Sequence, residues 1–281
     1  MRGATSARHP SRRSGFSRDI ALLKSLRGDA ASGGIGRELA REFASHGFDL
    51  VVVARRRSRL AALKRELESA HGVAVRVVEA DLFDPAAPQV LRRKLARLPV
   101  DVLVNNAGTL EGGPFADMDP ERIGQMLRLN VAVLVELTYA FLPGMLSRRH
   151  GRIVNLASIA AFAPVPWLSV YAATKSFVLA FSEALAEELR GTGVSVTAVC
   201  PGLTNSEMAD AALERAADLA PWRPWLFAEP HTVAAAAYEG AMKHEDLVVP
   251  GAANVFYRGL MKLAPRPARS RVTGLFGRVL K

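Results

Sequence analysis

The sequence predicts a single α/β domain, a parallel sheet with helices on both faces. Two patterns predict it. Five short runs rich in Val or Ile, at 48–54, 73–80, 100–105, 151–157 and 194–200, are too short for helices and match buried parallel strands. Between them, segments 35–46, 58–71, 87–98, 120–148 and 170–190 carry apolar residues at three- and four-residue spacing, as amphipathic helices do. Composition agrees. With 281 residues, 49% of them hydrophobic and 23% charged, the chain can bury a sizeable core, which excludes a wholly disordered polypeptide.

Charge divides the chain. Residues 1–28 hold seven Lys/Arg and one acid, and residues 258–281 hold seven Lys/Arg and none. The total of 37 Lys/Arg and 27 acids therefore leaves 23 and 26 for residues 29–257. The basicity belongs to the ends. A nucleic-acid binder shows a basic stripe on its fold, and the central part shows none, so no nucleic-acid partner is expected. The single cysteine, Cys200, excludes an intramolecular disulfide and a multi-cysteine zinc site, and it suits a reducing, cytoplasmic setting. No metal is expected. No uncharged apolar run reaches the roughly 18 residues of a membrane span. The segment 159–174 is broken by Pro164 and Pro166. Residues 1–18 are Arg/Ser-rich and read as a disordered tail or a transit-type leader; Lys24 and Arg27 interrupt 20–26, which excludes an export signal.

Chemistry sits where the strand runs end. Ala31-Ser32-Gly33-Gly34-Ile35-Gly36 opens the first helix. A glycine turn there lets backbone approach a pyrophosphate, and the helix N-terminus offers free N–H groups; a glycine cluster alone is as often a plain loop. The second strand ends in Arg55-Arg56-Arg57. In this architecture an acid at that point accepts ribose hydroxyls, whereas arginine meets a 2′-phosphate. Asp81-Leu82 follows the third run and Asn105-Asn106-Ala107-Gly108 closes the fourth. Tyr171 and Lys175, four apart, share a helix face. Ser158 lies thirteen residues before Tyr171, just past a strand. A phenol has a reference pKa of about 10, and a neighbouring cation favours phenolate. A tyrosine so tuned can exchange a proton with an alcohol or carbonyl oxygen, and a serine hydroxyl can hydrogen-bond that oxygen.

In this order and spacing, Ala31–Gly36, Asn105–Gly108, Asn130, Ser158, Tyr171-x-x-x-Lys175 and Cys200-Pro201-Gly202 resemble the short-chain dehydrogenases/reductases. The resemblance runs from about residue 31 to 206, more loosely to about 265. It implies a Rossmann-type, doubly wound sheet of about seven strands, and hydride transfer between NADP(H) and a small carbonyl or secondary alcohol. Under it Tyr171 is the acid/base, Lys175 lowers its pKa and holds the nicotinamide ribose, and Ser158 anchors the substrate oxygen. Asn130 kinks a helix and holds a relay water. Asn106, Ala107 and Gly108 lie beside the adenosine ribose, and Asp81 and Leu82 contact adenine. Ser32, Gly34, Ile35 and Gly36 line the pyrophosphate. Arg55, helped by Ser32 and Arg56, reads the 2′-phosphate. Pro201, Gly202 and Ser206 cover the nicotinamide. A homodimer or homotetramer built partly on the helix at 170–190 is also implied.

The resemblance also implies a lid at about 203–230. Trp222, Trp225 and Phe227 there fit an apolar substrate or simple core packing. Residues 254–281 mix apolar and basic side chains, as in a solvated helix or one lying on an anionic membrane surface.

One stretch departs from the pattern. The family's fingerprint starts with Thr and Gly after an apolar strand; here those positions are Asp29 and Ala30, preceded by Lys24-Ser25-Leu26-Arg27-Gly28. Lys24 or Arg27 would be buried in the sheet, at a cost of several kcal/mol. Either residues 1–30 are not the ancestral N-terminus, or the first strand is an imperfect segment at 20–26. The same damage admits a catalytically silent member of the fold that acts through interactions. A variant carrying Asp29→Thr and Ala30→Gly with a repaired strand is expected to bind NADPH more tightly in fluorescence titration. Equal affinity would remove the idea of a damaged fingerprint.

Overall fold

Ile20, Ala21, Leu22 and Leu23 alternate between two apolar surroundings, as the two-residue period of a strand requires. All four are buried: Ile20 and Leu22 on one side of the sheet, Ala21 and Leu23 on the other. The computed structural model describes residues 19–24, 34–55, 57–205 and 227–277. Its elements are β1 (Ile20–Lys24), α1 (Ile35–Ser45), β2 (Asp49–Ala54), α2 (Arg57–His71), β3 (Val75–Glu79), α3 (Ala87–Leu95), β4 (Val100–Asn105), α4 (Pro120–Leu127), α5 (Val133–Arg148), β5 (Gly151–Leu156), α6 (Ser169–Glu188), β6 (Val194–Val199), α7 (Pro230–Met242), β7 (Leu247–Val248), α8 (Ala252–Leu263) and α9 (Arg266–Gly277).

The seven strands form one parallel sheet in the order β3-β2-β1-β4-β5-β6-β7. The order reverses beside β1, which leaves a crevice at the carboxyl edge between β1 and β4. Leu39 and Phe43 of α1, Leu60 and Leu67 of α2, and Ala237 of α7 pack on one face of the sheet. Leu91 of α3, Val133, Leu137 and Phe141 of α5, and Leu185 of α6 pack on the other. The doubly wound α/β fold read from the sequence is the observed one.

The first strand departs from expectation in position. The fingerprint pattern placed it immediately before Asp29, with charged residues in the sheet. The structure draws the apolar residues 20–23 into the sheet centre instead, because a strand flanked on both sides admits no unpaired charge at little cost. A β-bulge seats it: Ile20 pairs with Val100 and Ala21 with Val102, so Asp101 is the extra residue. The Asp101 carboxylate is buried and accepts the Ile20 N–H at 2.9 Å, with Arg148 3.6 Å away.

Charge therefore misplaced both ends of the folded body. The basic tail drawn at 1–28 contains β1, and the boundary at 258 falls inside α8. Composition marks where charge changes; packing decides where a domain begins. The segment 120–148, expected as one helix, is α4 and α5 joined by a π-helical turn, Arg128–Ala132. By length and composition this run could cross a membrane, yet Val133, Leu137, Phe141 and Met145 pack into the sheet core.

Leu22→Ala is expected to lower unfolding free energy by roughly 2–5 kcal/mol in urea titration, the range for truncating a buried leucine. A loss well under 1 kcal/mol would mean that these residues do not occupy the sheet centre.

Candidate functional site

Ser158 stands just beyond β5, at the start of a short 3-10 turn, Ile159–Phe162, and its side chain accepts the Ala160 N–H at 3.2 Å. The turn is held against the loop after β6, where Ile159 N–H donates to Pro201 O at 3.0 Å. Helix α6 starts eleven residues past Ser158 and presents Tyr171 and Lys175 to the same place. Ser158 and Tyr171 are joined by a side-chain hydrogen bond. The Lys175 ammonium, 6% exposed, donates to Leu156 O at 2.8 Å and lies 5.7 Å from the centre of the Tyr171 ring. The three residues singled out by spacing share one corner at the carboxyl edge of β5.

Asn130 reaches this corner from the π turn, which directs a side chain inward that a regular helix would rotate away. It is buried and fully engaged. Its Oδ1 accepts Thr109 N–H at 2.8 Å, and its Nδ2 donates to Thr109 O at 2.9 Å and to Thr174 Oγ1 at 3.1 Å. Thr174 Oγ1 in turn donates to the Tyr171 carbonyl at 2.7 Å. The side chain thus ties the loop after β4 to α6, with both of its N–H donors committed to protein. Gly108 sits against this knot; a Cβ there would lie 3.2 Å from Asn130 Oδ1 and 3.5 Å from Lys175 Nζ.

Electrostatics revise one expectation. The sequence placed a cation beside the phenol to draw its pKa down. Burial instead pushes the Tyr171 phenol above its ordinary value, opposed by the Ser158 hydrogen bond. Burial also lowers Lys175 from 10.5 to about 8. The same desolvation acts on both side chains, and it penalises whichever form is charged. Cys200 is buried beside them, its thiol pushed up to about 12 by desolvation, so it is an inert neighbour and not a nucleophile.

The expected cofactor residues line the same edge. Gly34 precedes α1 with φ +102°, a conformation that favours glycine. The first helical bonds begin at Arg37 and Glu38, which leaves the Ile35 and Gly36 N–H groups to head the helix. Arg55 ends β2 with its guanidinium 5.5 Å from the centre of the Phe83 ring. Asp81 caps the following turn by accepting the Phe83 N–H at 3.1 Å, beside buried Leu82. Asn106, Ala107 and Gly108 follow β4. Gly202 packs on Asn254, whose side chain a Cβ would meet at 2.5 Å. A glycine at positive φ, free helix N–H groups, an exposed arginine beyond β2 and a buried ammonium together fit a dinucleotide bearing phosphates.

Ser32, Arg56, Ser206, Asp29, Ala30, Trp222 and Trp225 lie outside the described residues. Phe227 is buried, in line with core packing. The chain ends flanking 206–226 are pinned together, with Ala228 N–H donating to Leu203 O at 2.8 Å and Asn205 N–H to Ala228 O at 3.0 Å.

Sequence reading missed a second buried polar framework. Asn105 Nδ2 donates to Asn155 Oδ1 at 2.7 Å and to Thr138 Oγ1 at 3.2 Å, and Asn155 Nδ2 donates to Ser182 Oγ at 2.9 Å. It crosses β4, β5, α5 and α6 directly beneath the site. A polar residue inside each apolar run was the available signal, but partners 27 to 50 residues apart cannot be matched from spacing.

Comparison with known proteins agrees with this geometry. The model of the short chain dehydrogenase family matches residues 30–217. A very-long-chain 3-oxoacyl-CoA reductase of Laccaria bicolor is 36% identical over 170 residues, 59% of this chain and 50% of that protein. Sulfoacetaldehyde reductase 2 of Chromohalobacter salexigens is 40% identical over 193 residues, 67% of this chain and 74% of that protein. A solved short-chain dehydrogenase from Sphingobium yanoikuyae in complex with NADPH has a TM-score of 0.73 at 34% identity, covering 88% of this chain and 97% of that one. The match to the first of these spans only half of that relative. The family match nonetheless takes in most of the sheet, the glycine turn and the helix bearing Tyr171 and Lys175 together, and the chain belongs to the short-chain dehydrogenase family.

Proposed function

We propose that the protein is an NADP(H)-dependent oxidoreductase that interconverts a carbonyl compound and its secondary alcohol. The observation that carries this reading is the hydrogen-bonded pair Ser158–Tyr171 beside the buried Lys175 ammonium. A bound nicotinamide supplies or accepts the hydride. Gly34, Ile35, Gly36, Asn106, Gly108, Pro201 and Gly202 would hold the dinucleotide, and Arg55 favours the one that carries a 2′-phosphate. The NADPH bound to the Sphingobium relative is in keeping with that preference.

In the reducing direction Ser158 and Tyr171 hydrogen-bond the substrate oxygen and polarise the carbonyl. Tyr171 gives its phenolic proton to that oxygen as the carbon is reduced. The high phenol pKa keeps the donor protonated at neutral pH, and the Lys175 charge stabilises the phenolate left behind. Asn130 holds α6 in register for both. A silent member of the fold would have no use for this complete set. The relatives act on substrates as unlike as a long-chain acyl thioester and a small sulfonated aldehyde, so identity of sequence does not name the substrate. A homo-oligomer is in keeping with Tyr139, 81% exposed, and with the exposed Phe177 stacked on Phe181 along α6. A cytoplasmic setting is in keeping with the single buried cysteine.

Across a panel of ketones and aldehydes, NADPH consumption is expected to exceed NADH consumption, and Tyr171→Phe is expected to lower kcat by roughly 10²–10⁴-fold with NADPH binding retained in fluorescence titration. Undiminished turnover in Tyr171→Phe would end the assignment. Lys175 also predicts a pH signature. Between its folded pKa of about 8 and the ordinary 10.5, the unfolded chain holds a proton that the folded one has lost. The destabilisation is thus fully present below pH 8 and is relieved as pH rises. From pH 7 to 9 the cofactor-free wild type should gain roughly 1 kcal/mol relative to Lys175→Met in urea unfolding. Parallel curves would place the ammonium in contact with solvent.

A further inference from the structure

Helix α8 is amphipathic in the unexpected sense. Its polar side faces the protein: Asn254 donates to Pro250 O at 2.6 Å, and the Arg258 guanidinium lies 5.9 Å from the centre of the Phe162 ring. Of its large apolar residues only Met261 is buried. The outward side carries Ala252, Val255, Phe256, Gly259, Leu260 and Leu263, which recur at three- and four-residue spacing and form one stripe. Phe256 is 74% exposed and Leu263 85%. Lys262 flanks the stripe, and Arg266 and Arg271 extend the basic rim onto α9. No acid follows Asp246 anywhere in the sequence. The platform is fixed in place: Thr273 Oγ1 donates to Pro164 O at 2.5 Å, and Arg269 Nε donates to Ala264 O at 2.9 Å.

We propose that α8, with the basic start of α9, is a membrane-docking face that lies in the surface of an anionic bilayer. An outward apolar stripe with a cationic rim is the pattern of an interfacial helix, the apolar side chains entering the acyl boundary and the lysine and arginines meeting anionic headgroups. Charge argues against the other occupants. A second copy related by twofold symmetry would bring two acid-free basic rims together. A nucleic acid would neutralise the rim but leave the stripe in water. The face adjoins the Ile159–Phe162 turn that follows Ser158, so docking sets the substrate side of the molecule toward lipid. Vesicle binding is read without turnover and stands apart from the proposed reductase activity.

The full-length protein is mixed with vesicles of phosphatidylcholine and phosphatidylserine in comparable amounts, or of phosphatidylcholine alone, and sedimented. Binding should be strong to the anionic vesicles, weak to the neutral ones and reduced by salt. Phe256→Ser with Leu263→Ser should weaken it by on the order of a hundredfold, while thermal unfolding stays as in the wild type. Leu263→Ser alone gives the same direction should the double variant fold poorly. Lys262→Glu with Arg266→Glu should weaken binding to the anionic vesicles selectively. The proposal is overturned by absence of binding at low salt, by serine variants that bind as the wild type does, or by serine variants that instead abolish self-association in solution.

Discussion

The bond from the Lys175 ammonium to the Leu156 carbonyl holds this molecule's chemistry together. It ties the helix carrying the acid/base to the end of the strand carrying the substrate anchor. Without it, α6 and β5 would meet only through apolar contacts, which fix proximity but not orientation. The same bond keeps a cation in a desolvated place, and that place sets the properties of its neighbours. Burial lowers the ammonium to about 8 and lifts the Tyr171 phenol above its usual value. The site is therefore not a phenol simply acidified by a nearby charge. It is a dry corner in which charged forms are costly and a bound, charged cofactor would weigh heavily on both groups.

Around that corner the fold places polar side chains whose hydrogen bonds all have structural ends. Asn130 links the loop after β4 to α6 through Thr109 and Thr174. Asn105, Asn155 and Ser182 join strands and helix beneath. Buried networks of this kind lose more when one member is removed than a single bond is worth, because the partners remain buried and unpaired. They explain why the π turn survives in an otherwise regular helix: it is the distortion that turns Asn130 into the knot.

The two ends of the chain show opposite relations between charge and packing. At the N-terminus, four apolar residues amid basic ones become the central strand, seated by the Asp101 bulge. At the C-terminus, a helix turns its polar side inward and leaves Phe256 and Leu263 in the open. Both were hidden in composition. An average over a window cannot tell an apolar residue bound for the core from one facing outward.

Periodicity by itself determined most of this protein. Val-rich runs separated by amphipathic segments dictated a parallel sheet covered on both faces, and Tyr171 with Lys175, one helical turn apart, had to share a side. The order and spacing of the glycine, asparagine and serine motifs pointed to the carboxyl edge, because strand ends meet there. Only the tertiary structure decided which residues formed the first strand, since that choice depended on two neighbouring strands and a bulge far along the chain. It also decided the sign of the phenol's shift, because desolvation depends on everything that surrounds a group, whereas spacing speaks only of its neighbours along one helix.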